Sequence, residues 1–266
     1  MVYIPPVENV DRLIAYLMTD LSNNQLKSFK KKFELGSCAP FATMLELVIK
    51  KPPKDYIGKS HAYIRREEEK AGRDDAFIII DEQVIKKDAV WYVERFAEKD
   101  EVDDGEAVST NVLWEGLIKT ECLALSYVNY SIANMTLVED LELDMPAPEN
   151  YVQDAVIECG GLDMKEFSYD QPAFIIAWPG EFEETTDPDI LSNFAPDPDR
   201  VGRLKEDVAK AVGVKSEWSF ISDPDEKRVK MPDGSTKKVP KGSVSLQQKF
   251  DPEFPWPPYK WPEESL

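Results

Sequence analysis

Four apolar residues stand in a row at Phe77-Ile-Ile-Ile80 and are ended by Asp81 and Glu82. The run is too short for an ordinary helix, and with no alternating polar residues neither of its faces meets water. It predicts a strand covered on both sides. Ala173-Phe-Ile-Ile-Ala-Trp178, stopped by Pro179-Gly180, predicts a second such strand, and the β-branched and aromatic stretch Ala89 to Ala97 a third. Buried strands alternating with helical segments give an α/β (or α+β) fold built on a mixed sheet.

The chain divides further by pattern. In residues 8 to 50, Val10, Leu13, Ile14, Leu17 and Met18 recur at helical spacing, and Thr43 to Lys50 continues after Pro40, so residues 1–75 read as a helical N-terminal annex. Within it Ser60 to Ala71 is a helix whose RREEEK stretch reads as a solvated face. Residues 76–226 form an acidic α/β body with helices expected at 111–125, 136–143, 151–159 and 200–212. Residues 227–249 make a basic β-hairpin section around the turn signal Met231-Pro-Asp-Gly-Ser235, and 250–266 a Pro/Trp-rich tail. A single body carrying these attachments is the expected architecture.

Charge separates the same segments and limits the partners. The chain carries a net charge of −19, and residues 76–226 hold 11 basic against 35 acidic side chains, whereas 227–249 hold 7 against 1. A field of that sign repels phosphate backbones and anionic lipid, so neither nucleic acid nor membrane is an expected partner. Docking of the basic hairpin on the acidic body, of its own chain or of a second copy, is the economical use of the contrast. Cys38, Cys122 and Cys159 are odd in number and lack any CxxC spacing, which argues against both a disulfide framework and a zinc site. With no signal-peptide pattern at the N-terminus and no apolar stretch of 18 residues, a cytoplasmic location is expected.

Residues 77–141 carry a set of features together: FIIIDE, AVWYVERF, Trp114, the block Asn129-Tyr-Ser-Ile-Ala-Asn-Met135 and the acidic TLVEDLEL. This set resembles an uncharacterised, mostly bacterial α/β domain family of unknown function. The resemblance implies the α/β class and supplies no catalytic residue.

Motifs for cofactor chemistry are missing: there is no GxGxxG, Walker loop or GxSxG, so no cofactor is expected. Acidic loops at Asp103-Asp104 and 181–189 lack calcium-loop spacing, so no metal is expected either. His61, the single histidine, lies in a polar helix and reads as a surface residue. Carboxylates at strand ends remain. Asp81, Glu82 and Glu181 are the candidate catalytic residues, since open α/β sheets bind ligands beyond the carboxyl ends of their strands. Trp114, Asn129, Asn134 and Trp178 are candidate ligand-binding residues, two aromatic surfaces with two amides.

The tail offers two opposed readings. Phe254-Pro-Trp-Pro-Pro258 and Pro255 to Lys260 are similar to the polyproline ligands of EVH1 and SH3 domains, which would make Phe254, Trp256 and Trp261 partner-binding residues. Four exposed aromatics in eight residues would be a solubility liability, and this favours a tail packed on its own chain. The preferred functional reading is a non-catalytic binding or accessory protein that presents an apolar aromatic surface to a protein or a small apolar molecule. The alternative is a cofactor-independent small-molecule enzyme, an isomerase, cyclase or hydrolase, working through carboxylate acid and base groups. An enclosed cavity of roughly 300 Å3 or more with a desolvated carboxylate would favour the enzyme, and its absence the binder.

Overall fold

The computed structural model describes residues 2–5, 9–39, 42–151, 153, 155–196, 198–231 and 234–266. The chain forms two compact units. One is Asn9–Ala39, Thr43–Lys165 and Tyr259–Leu266, here the mixed-sheet unit; the other is Met1–Glu8, Pro40–Ala42 and Glu166–Pro258, the antiparallel unit.

The mixed-sheet unit runs β1 (Arg12–Leu17), α1 (Asn23–Ser37), β2 (Glu46–Lys50), α2 (His61–Lys70), β3 (Phe77–Ile80), β4 (Ala89–Phe96), β5 (Leu113–Lys119) and α3 (Leu123–Ser131). Its five strands lie in the order β2-β1-β3-β4-β5. β1 pairs in parallel with both β2 and β3, while β4 is antiparallel to its two neighbours. Phe77–Ile80 is buried throughout and sits between β1 and β4, as an apolar run with two covered faces requires.

The helical annex expected over residues 1–75 is not what forms. Leu13, Ile14, Leu17 and Met18 fit a helical stripe, but they belong to an unbroken apolar run, LIAYLM, that serves equally well as a strand buried on both faces. As β1 this run becomes an interior strand of the sheet, between β2 and β3. Ile14 and Tyr16 join Phe77, Ile79 and Val93 against Ile64 of α2, while Leu13 and Ala15 on the alternate face are buried as well. Thr43 to Lys50 is likewise no helix; Glu46–Lys50 is strand β2. Helix α1 is placed between β1 and β2 by a capping box, with Ser22 Oγ accepting from Gln25 N at 3.3 Å and Gln25 Oε1 accepting from Ser22 N at 2.9 Å.

Further differences have the same origin. Residues 113–119, expected within a helix, are strand β5, because Leu113, Trp114, Leu117 and Ile118 all lie in the core and mark a run buried on both faces. Residues 151–159, expected as a helix, form none in their described part, and Ile157 bridges to the edge strand β5. Ile157 exchanges backbone hydrogen bonds with Leu117 and Lys119 at 2.8 and 3.0 Å. Side chains continue the ladder: Gln153 Oε1 accepts from Leu117 N at 2.7 Å, and the Tyr151 hydroxyl accepts from Glu115 N at 3.0 Å and donates to Glu115 O at 2.9 Å. The opposite edge, β2, is covered by the tail, where Leu266 N donates to Ile49 O at 3.0 Å and Ser265 Oγ accepts from Ile49 N at 3.1 Å. Both edges of this sheet thus carry partners from the same unit.

Cys122 and Cys159 form a disulfide, with Cα atoms 5.6 Å apart and 37 residues between them in sequence. This corrects the expectation, drawn from the odd number and spacing of the cysteines, that no disulfide framework forms. Cys38 is the free thiol, and burial pushes its pKa up to about 12.

The antiparallel unit contains β6 (Pro172–Ala177), β7 (Phe182–Thr185), β8 (Val201–Leu204), α4 (Glu206–Val212), β9 (Ser219–Ser222), β10 (Arg228–Lys230), β11 (Thr236–Lys238) and β12 (Val244–Lys249). Five strands form one sheet in the order β6-β12-β9-β8-β7, with every pairing antiparallel. Residues 200–212 thus open as strand β8 and only then become helix α4, which Gly213 ends in the left-handed conformation at φ +77°. The expected hairpin is strands β10 and β11; of its turn, Pro232 and Asp233 lie outside the described residues, and Met231 N donates to Ser235 O at 2.7 Å. Among the described residues no helix is long and apolar enough to cross a membrane.

Candidate functional site

Two parallel strands that start side by side bring their preceding residues together. Asp11 and Arg12 open β1, and Asp74 and Asp75 lead into β3. β4 runs the other way and pairs Val93 with Phe77, so Glu94 and Arg95 arrive at the same end of the sheet. With Leu13, Ala76, Tyr92 and Tyr127 of α3 these residues line a cavity of about 330 Å3 within the mixed-sheet unit.

Its floor is pinned from below by Arg65 of α2, which is completely buried. Arg65 Nη1 donates to Asp75 O at 2.8 Å, Glu94 O at 3.1 Å and Asp74 O at 3.4 Å, and Nη2 donates to Arg73 O. Its Nε lies 3.2 Å from Glu69 Oε1, an ion pair without hydrogen-bond geometry. A guanidinium presents five donors in a rigid fork, and here the fork ties the 73–75 loop to β4.

Glu68, also on α2, is buried too. It accepts from the hydroxyls of Tyr16 at 2.9 Å and Tyr56 at 2.5 Å, and from Nε and Nη2 of Arg73 at 2.5 and 2.8 Å. Burial opposes the Glu68 charge, but the hydrogen bonds from Arg73, Tyr56 and Tyr16 outweigh it and hold its pKa below the usual carboxylate value. Burial and the bond to Glu68 push Tyr56 up to about 12. The RREEEK stretch is therefore a solvated face only in part: Arg66, Glu69 and Lys70 are exposed, while Arg65 and Glu68 turn inward.

The cavity is dominated by acids. Arg12 is paired with Glu46 at 2.5 Å, and Arg95 with Glu101 through two contacts of 2.8 Å, so both arginines of the rim are engaged by carboxylates outside it. Asp11 accepts from the Tyr127 hydroxyl at 3.0 Å. Among the described residues no cation comes within ion-pair distance of Asp74, Asp75 or Glu94. Burial raises the Glu94 pKa, with Arg95 opposing the shift, and burial followed by the Asp11 contact pushes Tyr127 up to about 12. The arrangement can hold a cationic group, and Glu94 can take or give a proton near it. Its lining is mostly polar, with Leu13, Ala76, Tyr92 and Tyr127 as its apolar and aromatic members.

The residues singled out from sequence lie elsewhere. Asp81 accepts from Gln83 N at 2.8 Å and Trp91 Nε1 at 3.2 Å, closing the end of β3. Glu82 is exposed beside Lys86 at 3.3 Å. Glu181 belongs to the antiparallel unit, where it accepts from Trp178 N at 2.9 Å. Trp178 packs beside Tyr3, Ile176 and Val229, and its indole N–H has no partner among the described residues. Trp114 is wholly buried with its indole donating to Glu101 at 3.1 Å, so it is core and offers no stacking surface. Asn134 Nδ2 donates to Asn129 Oδ1 at 3.2 Å, so these two amides do meet, at the end of α3.

His61 is not a free surface residue either: its Nδ1 lies 2.6 Å from Glu115 Oε2 and its ring meets Trp91 edge-on at 5.4 Å. The tail aromatics are packed within their own units. Trp256 meets Phe250 at 5.9 Å and Phe254 at 4.4 Å, while Trp261 meets Phe33 at 5.6 Å and donates to Glu34 Oε1 at 2.6 Å. They are half-buried and packed on their own units, in line with the packed reading of the tail. The signal for the cavity is present in the sequence as acids placed before two buried strands, Asp11 before LIAYL and Asp74-Asp75 before FIII, at the ends opposite to those that the strand-end rule selects. Comparisons with protein-family models, curated proteins and solved structures find no match.

Proposed function

We propose that the protein is a non-catalytic binding protein whose acidic cavity takes an ammonium or guanidinium group from a protein or small-molecule partner. The observation that carries this reading is that Asp74, Asp75 and Glu94 line one cavity while its two arginines are committed to Glu46 and Glu101. A cation entering there neutralises a field that the chain itself leaves open, and Tyr127 and Tyr92 supply aromatic walls. Two charge-assisted hydrogen bonds at about 2.5 kcal/mol each correspond to a Kd on the order of 0.2 mM for a single small cation. A second copy of the chain, through its basic hairpin, is one partner of this chemistry. Calorimetric titration with Nα-acetyl-arginine amide and with its neutral isostere Nα-acetyl-citrulline amide tests the reading: binding of the first alone supports it, and equal binding of both or of neither contradicts it.

A second reading rests on Glu94. A carboxyl whose pKa is raised by burial, at the wall of a cavity of this size, has the character of a proton-transfer group in a cofactor-independent enzyme, and this reading stands second because the cavity is open to solvent rather than enclosed. Turnover that disappears in Glu94→Gln while Nα-acetyl-arginine amide still binds would favour the enzyme.

A further inference from the structure

Strands β10 and β11 form a ribbon with two unlike faces. Val229 is buried against Tyr3 and Ile176, with Met231 and Val239 beside it. The other face is basic: Arg228 and Lys238 stand directly opposite each other in register, and Lys230 follows on the same strand as Arg228. All three are exposed. Like charges placed directly across a strand pair repel at Cβ separations of about 5 Å and cost stability. Among the described residues Lys227, Arg228, Lys230, Lys238 and Lys241 make no ion pair. Other cations of the same unit do: Arg200 pairs with Glu184, Arg203 with Glu183 and Lys249 with Asp170. In a chain of net charge −19 a ribbon face that presents Arg228, Lys230 and Lys238 without an ion pair among the described residues is a surface kept for an anionic partner.

We infer that this partner is a second copy of the chain, the ribbon of one copy entering the acidic cavity of the other with Arg228 and Lys238 between Asp11, Asp74 and Asp75. The inference rests on the cavity being a cation site. Charge complementarity selects the second copy over a nucleic acid, because the acidic body that would repel a phosphate backbone is the same body that attracts the ribbon.

Sedimentation of the full chain at low and high salt is the test. Wild-type protein is expected to associate at low salt and to dissociate at high salt. Reversal by Arg228→Glu with Lys238→Glu, or by Asp74→Lys with Asp75→Lys, should each raise the dissociation constant at least tenfold, and mixing the two variants should restore association because both contacts are then complementary again. A monomeric wild type at low salt, or association that survives the ribbon reversal, overturns the inference. So does a ribbon reversal that lowers thermal stability without changing the mass, which places the contact within one chain, or one whose effect is loss of binding to a short DNA duplex. If the wild type is monomeric but Nα-acetyl-arginine amide still binds, the inference fails and the cavity reading stands; if neither occurs, both fail.

Discussion

Breaking the Cys122–Cys159 bond is the perturbation whose size follows most directly from chain statistics. The bond closes a loop across 37 residues of sequence and fastens the segment that lies along β5 to the start of α3. Loop-closure entropy for a ring of that length gives about 4 kcal/mol at 25 °C, and native disulfides commonly deliver 2–4 kcal/mol, so a loss of about 3 kcal/mol is expected. At a urea m-value of about 3 kcal/mol per molar the midpoint falls by about 1 M. Cys159→Ser is the suitable variant, because Cys122 is buried and its thiol can remain there as a small apolar group. Far-UV circular dichroism in urea, with and without a dithiol, reads the shift, and the reductant should have no effect on the variant. Thiol titration in denaturant should find one reactive cysteine without reductant and three with it. Three thiols in unreduced protein, or identical curves with and without dithiol, would refute the reasoning.

Other substitutions probe separate parts of the account. A Cβ on Gly36 would lie 1.7 Å from the backbone oxygen of Glu121, so Gly36→Ala forces α1 away from residues 120–122 and should cost at least about 3 kcal/mol; a variant melting like wild type contradicts that packing. Trp261→Ala removes the ring from Phe33 and the hydrogen bond to Glu34, an expected loss of about 2–3 kcal/mol with faster proteolysis of the tail, and unchanged stability would mean the tail is free. Glu94 has its pKa raised in the folded state, so the folded protein holds that proton more readily than the unfolded chain does. Its charge therefore opposes folding above the folded pKa and stops doing so below the unfolded one. Glu94→Gln should raise the melting temperature at pH 7, with the gain shrinking as pH falls toward 4, and a variant destabilised equally at every pH would refute the assignment.

The fold is legible in the sequence where one physical constraint acts alone. Phe77–Ile80 is apolar without alternation and bounded by acids, and only a doubly covered strand suits it. Leu13, Ile14, Leu17 and Met18 satisfy a helix and a buried strand equally, and the pairing of β1 with both β2 and β3 decides between them. Leu113 to Lys119 is ambiguous for the same reason. The disulfide joins residues with no motif spacing, so only the approach of the 157–159 segment to the end of β5 brings them together. The cavity draws on residues from near 11, 75, 94 and 127, and its floor depends on Arg65, whose charged neighbours disguise it as a surface residue. Asp81, Glu82 and Glu181 follow from the rule for strand carboxyl ends, whereas this cavity lies where the parallel strands begin.

The central claim is that the carboxylates of this cavity hold a cationic group, and the most direct measurement is the affinity of Nα-acetyl-arginine amide for wild-type protein and for Glu94→Gln with Asp75→Asn. Removing two of the cavity's charges while keeping side-chain size should weaken binding at least tenfold, about 1.4 kcal/mol or more, and the remaining affinity should depend less steeply on salt. Equal affinity for the two proteins at low salt would place the cation elsewhere and contradict the account.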